Sequence, residues 1–281
     1  MYRLIAFDVD GTLCAFSKDG ESGAAMRVSP RLLTAAAQAQ AAGATLTLAT
    51  GRGVTPILPL ARTLNIQAPL ICYQGGWVYD LHTGATLHKT TLPVGLAHQI
   101  IAWAQPFDWD ISVYLDGEIY LQRLHHPVEF YDRWFGLPWH HVNDLQQAIS
   151  HDPEKILFTG DSALCDVIHA RLNAQFGEQI QVLRTHEFFV EMVPHGTSKG
   201  KALAWLAARM GIRQEEVIAV GDSENDLSMI RWAGMGVAMG NATPQVKAAA
   251  RWQAPSVDDD GAAVVLEHFV LKAAADKSYT D

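Results

Sequence analysis

The chain has 281 residues, 49% hydrophobic and only 18% charged, which is enough apolar material for one large domain or two modest ones and excludes disordered and fibrous classes. A formal net charge of −9 argues against a nucleic-acid-binding face. The apolar stretches Leu4–Phe7 and Thr45–Ala49 are far too short to span a bilayer, and no charged-then-apolar signal segment opens the sequence, so a cytoplasmic location is expected.

Tyr2–Phe7 is an apolar run of the kind found in a buried parallel strand. After a loop, Ser29 followed by Pro30 predicts a helix start, and the alanine-rich run ends at Gly43. Thr45–Ala49 predicts a second strand, Val54–Leu64 a helix and Pro69–Tyr73 a third strand. A hairpin is expected from Trp77–Asp80 and Ala85–His88 around Thr83-Gly84.

Between residues 84 and 189 the texture changes to mixed helix and strand, including Asp110–Leu115 and Glu118–Gln122, with most of the tryptophan and histidine. Alternation then resumes with helix Ser198–Met210, strand Val217–Val220, helix Glu224–Trp232, strand Gly236–Met239 and two final helices. The expectation is an α/β fold whose parallel sheet, formed by 1–83 and 190–281, is interrupted by an inserted α/β domain at 84–189. Residues after Ala275 are expected to fray.

In open parallel sheets, ligands bind outside the carboxyl ends of the strands, so the residues just after each strand matter most. Asp8-Val9-Asp10-Gly11-Thr12-Leu13 follows the first strand. Two carboxylates spaced by two point the same way on an extended chain, and burying them together is costly without a cation. A divalent metal resolves that conflict, leaving Asp8 to attack phosphorus and Asp10 to move protons. Ala49-Thr50-Gly51-Arg52 after the second strand offers a hydroxyl and backbone N–H groups for phosphate, although an ordinary threonine cap reads equally well. Ser198-Lys199-Gly200-Lys201 places a lysine at a helix start, where it neutralises phosphoryl charge if aimed at the site. In Gly221-Asp222-Ser223-Glu224-Asn225-Asp226, Asp222 suits metal ligation and Asp226 a supporting hold on the metal or its waters. Each signal alone has a bland alternative; their coincidence at one sheet edge carries the weight.

The ordered set DVDGTL, TGR, SKG and GDSEND resembles the four motifs of the haloacid dehalogenase superfamily. The TGR form and the insertion after the third strand make the chain similar to the Cof-type phosphatases, with a Rossmann-like core and an α/β cap of the C2B type. Carried over residue by residue, the resemblance implies Asp8 as nucleophile and Asp10 as acid/base. It further implies Asp8, Asp222 and the backbone carbonyl of Asp10 as Mg²⁺ ligands, Thr50, Gly51, Lys199 and Asn225 around the phosphate, and Asp226 behind them. Asp10 also disfavours dehalogenase chemistry, since superfamily dehalogenases lack that second aspartate. One departure is Gln74-Gly75-Gly76, where these phosphatases usually have Asn-Gly-Ala.

The implied activity is a Mg²⁺-dependent phosphatase of a small phosphorylated metabolite, a sugar phosphate or similar phosphomonoester, with a phosphosugar mutase or dedicated sugar-phosphate phosphatase and a non-catalytic phospho-ligand-binding protein as rivals. Of the cap's polar and aromatic residues, the histidine pairs His125-His126 and His140-His141 lack a carboxylate or cysteine at metal-ligand spacing and are read as packing residues. The aromatic residues Tyr131, Trp134 and Trp139 either stack on a substrate or fill the cap's core, core being the preferred reading, and Tyr131 and Trp134 are the trial positions for substrate selectivity. Cys14, near Asp8, is read as a small filler rather than a reactive thiol, because nothing basic adjoins it in sequence.

Overall fold

The computed structural model describes residues 2–15 and 26–272, apart from the side chains of residues 133–135, so Trp134 and the expected fraying after Ala275 lie outside the description. The chain divides into two compact units. One comprises the N-terminal segment with Met26–Leu87 and the segment from Ser198 onward, and the other is built on His88–Thr197. These limits fall later than the compositional break on both sides. The reason on the C-terminal side is that strand Phe189–Pro194 is hydrogen-bonded into the second unit's sheet.

The first unit is built on a five-stranded parallel sheet, ordered Trp252–Gln253, Met235–Ala238, Val217–Gly221, Leu4–Phe7 and Thr45–Leu48. Leu4 through Phe7 are all buried, as a central strand covered on both faces requires. The strand Leu70–Cys72 touches this sheet through one Ala49–Ile71 bridge and then turns into a separate small sheet with Trp77–Tyr79 and Thr86–Lys89. Helix Pro30–Ala41 begins as expected, with Ser29 Oγ accepting from the Leu32 amide and proline in the first turn. Ser198 caps helix Lys199–Arg209 in the same way, through the Lys201 amide. The expected helix Glu224–Trp232 is instead a 3₁₀ turn over Glu224–Asp226 leading into Leu227–Trp232. That tight turn is set by Asp226, whose carboxylate accepts the Asp222 and Ser223 amides at 3.0 Å each. The two-residue edge strand Trp252–Gln253 is too short to show a period in sequence.

The second unit contains a six-stranded sheet in the order Ile180–His186, Phe189–Pro194, Lys155–Thr159, Asp110–Leu115, Glu118–Leu121 and Trp139–His141. Its pairs are antiparallel except the last. Alternate strand residues Val113, Ile156, Phe158, Val190 and Met192, with Trp109 just before strand Asp110–Leu115, form one core with helices Val94–Ala104 and Ser162–Phe176. The intervening positions carry buried polar groups, Asp110, Ser112, Lys155, Thr159 and Glu191. Among the described residues no helix is long and apolar enough to cross a membrane.

Candidate active site

Asp8 stands one residue beyond the first strand, its amide bonded to the Val220 carbonyl at 2.9 Å, so its position is fixed by the neighbouring strand as well as its own. Lys199 reaches it from the start of its helix. The Lys199 Nζ donates to Asp8 Oδ1 and Asp226 Oδ1, both at 2.6 Å, and all three side chains are buried. Burial lowers the lysine pKa, but the two carboxylates outweigh it and hold the ammonium above its usual range.

Asp8, Asp222 and Asp226 each offer a carboxylate oxygen within 4.8 Å of the others, and all are buried. Burial, the Asp226 charge and further neighbouring carboxylates raise Asp8 well above the ordinary aspartate value, with Lys199 opposing. Asp222 is raised by burial first and by Asp226 second. Three clustered carboxylates against one ammonium leave a buried excess of negative charge, which suits a bound divalent cation. Asp226 is already committed, one oxygen to Lys199 and the other to two loop amides, so Asp8 and Asp222 are the better placed donors. The tight fit explains Gly11: its φ is +81°, and a side chain there would overlap the Asp222 carboxylate.

Asp10 is gripped by a residue to which the sequence reading gave no role. Arg52 forms a bidentate fork, Nε to Oδ2 and Nη2 to Oδ1 at 2.7 Å each, with both side chains mostly buried. Thr50 is buried, but its amide is spent on the Ile71 carbonyl and its Oγ1 accepts from the Arg52 amide, so it offers a hydroxyl hydrogen rather than a backbone donor. Asn225 Nδ2 donates to Gln74 Oε1 at 3.0 Å.

Three further residues hold the loops. Thr12 and Ser223 donate hydroxyl hydrogens to Asp222 at 3.4 and 3.1 Å, and Asn241 Nδ2 donates to the Gly11 carbonyl at 2.8 Å. Asn241 follows strand Met235–Ala238, so the same attention to carboxyl ends of strands would have found it. The Cys14 thiol is pushed up to about 12 by burial and by Asp10, with Arg52 opposing, which makes it a filler rather than a nucleophile. In the second unit, His140 bonds Glu118 at 2.9 Å and His141 meets the Gln122 carbonyl. Among the described residues the only candidate metal cluster is the aspartate group of the first unit.

A parallel α/β sheet with an inserted unit, an acidic cluster at its strand ends and a buried lysine reaching that cluster from a helix start fits the class of phosphoryl-handling hydrolases. A family model for haloacid dehalogenase-like hydrolases matches residues 5–266. The chain is 30% identical to the HMP-PP phosphatase of Serratia proteamaculans over 248 residues, covering 88% of this chain and 87% of that protein. Identity to the pyridoxal phosphate phosphatase YbhA of Escherichia coli is also 30%, over 88% of this chain and 91% of that one. A solved haloacid dehalogenase-like hydrolase from Bacteroides thetaiotaomicron superposes with a TM-score of 0.82 at 31% identity, covering 95% of this chain and 99% of that one. The chain belongs to the haloacid dehalogenase-like hydrolases, as a Cof-type phosphatase, a hydrolase of phosphoric monoesters.

Proposed function

We propose that the protein is a Mg²⁺-dependent phosphatase that acts on a small phosphorylated metabolite through a phosphorylated Asp8. The observation that carries this reading is the buried Lys199 shared between Asp8 and Asp226, because it pins the Asp8 carboxylate by Oδ1 and leaves Oδ2 outside that ion pair. Asp8 and Asp222, with the backbone carbonyl of Asp10, would hold the metal, and the acidic cluster supports that set. Bound Mg²⁺ neutralises developing charge on the phosphoryl oxygens.

In the first step a carboxylate oxygen of Asp8 bonds to phosphorus while the bond from phosphorus to the leaving oxygen breaks, and Asp10 gives that oxygen its proton. In the second, Asp10 takes a proton from water, whose oxygen displaces Asp8 and releases inorganic phosphate. Each oxygen of Asp10 gives one lone pair to the Arg52 fork, which orients the carboxyl group, and keeps a second for the proton it moves. Lys199, the Thr50 hydroxyl, Gly51 and Asn225 surround the phosphoryl group in this reading, and Asp226 holds Lys199 and the Asp222 loop.

The substrate class follows the relatives named for HMP-PP and pyridoxal phosphate, and a sugar phosphate is another small phosphorylated metabolite of that range. The second unit supplies selectivity, and a cytoplasmic location accords with metabolite turnover. A phosphosugar mutase would return the phosphoryl group to substrate rather than release it.

The test is Asp8→Asn assayed for phosphate release across phosphorylated metabolites with Mg²⁺, EDTA or Ca²⁺. Wild-type turnover is expected with Mg²⁺ only, and the variant should stay folded while losing at least about a thousandfold in rate, the scale at which removing a nucleophile leaves binding alone. Activity retained in the variant or in EDTA would reject the mechanism, and isomerised phosphosugar without free phosphate would select the mutase.

A further inference from the structure

The segment Tyr73–Gly75 touches every loop that carries a candidate phosphate contact. The Gln74 amide donates to the Thr50 carbonyl and the Tyr73 amide to the Arg52 carbonyl, both at 3.0 Å. Gly75, at φ +98°, lies so close to the Ser198 carbonyl and the Lys199 amide that any side chain would collide with them. From the middle of this segment the Gln74 side chain crosses to Asn225, its Oε1 accepting from Nδ2 at 3.0 Å.

The backbone makes Gln74 an unfavourable choice. Tyr73 and Gln74 are both left-handed, at φ 48° and 58°, a region in which asparagine is several-fold enriched and longer side chains are not. Gln74 is also only 2% exposed, so contact with solvent does not account for its amide. Its extra methylene, relative to the asparagine usual in the phosphatases this chain resembles, brings the amide to Asn225. An amide is planar, so fixing one Asn225 N–H on Gln74 fixes the directions of its second N–H and of Oδ1. That oxygen is buried with no hydrogen-bond partner among the described residues and suits a donor or a cation, while the second N–H is the group of this amide that can donate to a phosphoryl oxygen.

We infer that Gln74 is a positioning residue that sets the Asn225 amide and ties it to Thr50 and Lys199 as one phosphate cradle. The inference rests on the reading of this site as phosphate-binding. It gives opposite signs for stability and for binding, because asparagine at position 74 suits the backbone better but falls one methylene short of Asn225.

The experiment measures binding of inorganic phosphate in the presence of Mg²⁺ by titration calorimetry, with thermal midpoints, for wild type, Gln74→Asn, Asn225→Ala, their double variant, and the exchange Gln74→Asn/Asn225→Gln. Gln74→Asn should melt no lower than wild type yet bind phosphate about tenfold more weakly, the scale of one hydrogen bond. The loss should vanish in the Asn225→Ala background, and the exchange should recover part of it. Wild-type affinity in Gln74→Asn, an equal loss on top of Asn225→Ala, or a lowered midpoint with unchanged affinity would each overturn the assignment. If wild type binds no phosphate with Mg²⁺, the cradle reading fails and the inference with it, a result distinct from any difference among variants.

Discussion

Lys199 concentrates the electrostatics of the first unit's site on one nitrogen. Without it Asp8 and Asp226 would be two buried carboxylates with no protein cation between them. Lys199→Met keeps the bulk of the side chain and removes the charge. Breaking a buried ion pair from one side costs about 3–5 kcal/mol, so this variant should unfold at markedly lower denaturant than wild type. In the proposed function Mg²⁺ held by the aspartates would replace part of the lost positive charge, so the deficit should shrink when Mg²⁺ is added, and turnover should stay below measurement even in the folded variant. Urea midpoints with and without Mg²⁺ check this; a midpoint equal to that of wild type in EDTA would show that Lys199 does not balance the aspartates.

Strand Asp110–Leu115 shows how an element of the second unit is pinned through polar groups. Tyr131 is buried, accepts the His125 and His126 amides at 2.9 and 3.2 Å, and donates to Asp110 Oδ2 at 3.1 Å. Its hydroxyl is thus spent on holding the segment before helix Val128–Phe135, which makes it a poor trial for substrate contact. Burial raises the Asp110 pKa and the Tyr131 hydrogen bond only partly offsets it, while Oδ1 has no hydrogen-bond partner among the described residues. A carboxyl raised on folding contributes stability that is fully present below its unfolded pKa and is lost as pH rises through the folded value. Asparagine imitates the protonated form and can still accept from Tyr131. Asp110→Asn should therefore be more stable than wild type at pH 8, with the advantage narrowing toward pH 4, as thermal midpoints at the two values would show. A variant less stable at pH 8 would mean that the ionised carboxylate is satisfied in the fold.

At the scale of the whole molecule, the two units divide the labour in the proposed function, the first carrying the chemistry and the second the choice of substrate. Contacts to the non-reacting part of a substrate supply binding energy that is realised in the transition state, so their loss lowers kcat/KM for large substrates and spares small ones. A panel of alanine variants at exposed apolar positions of the second unit, Leu124, Val128 and Phe188 among them, supplies the comparison. At least one should lower kcat/KM for a hexose phosphate by about tenfold, the order of one lost side-chain contact, while acetyl phosphate changes little. Parallel losses on both substrates across all folded variants would assign the second unit a structural role.

Asp8, Thr50 and Asp222 could be singled out in sequence because each follows an apolar strand run, and a parallel sheet places those strand ends at one edge. Asp8 beyond Leu4–Phe7 and Asp222 beyond Val217–Gly221 belong to neighbouring strands of that sheet. The Ser29-Pro30 helix start was equally readable, since capping is a local property of a few residues. Arg52 on Asp10, Asn241 on the Gly11 loop and Asn225 on Gln74 join positions 42, 230 and 151 residues apart in the chain. No local pattern encodes such a pairing. Which chemical groups stand at the strand ends is encoded locally, in the few residues after each apolar run. Which oxygen each donor takes is set by the folded chain, because it depends on side-chain reach across loops brought together by the sheet.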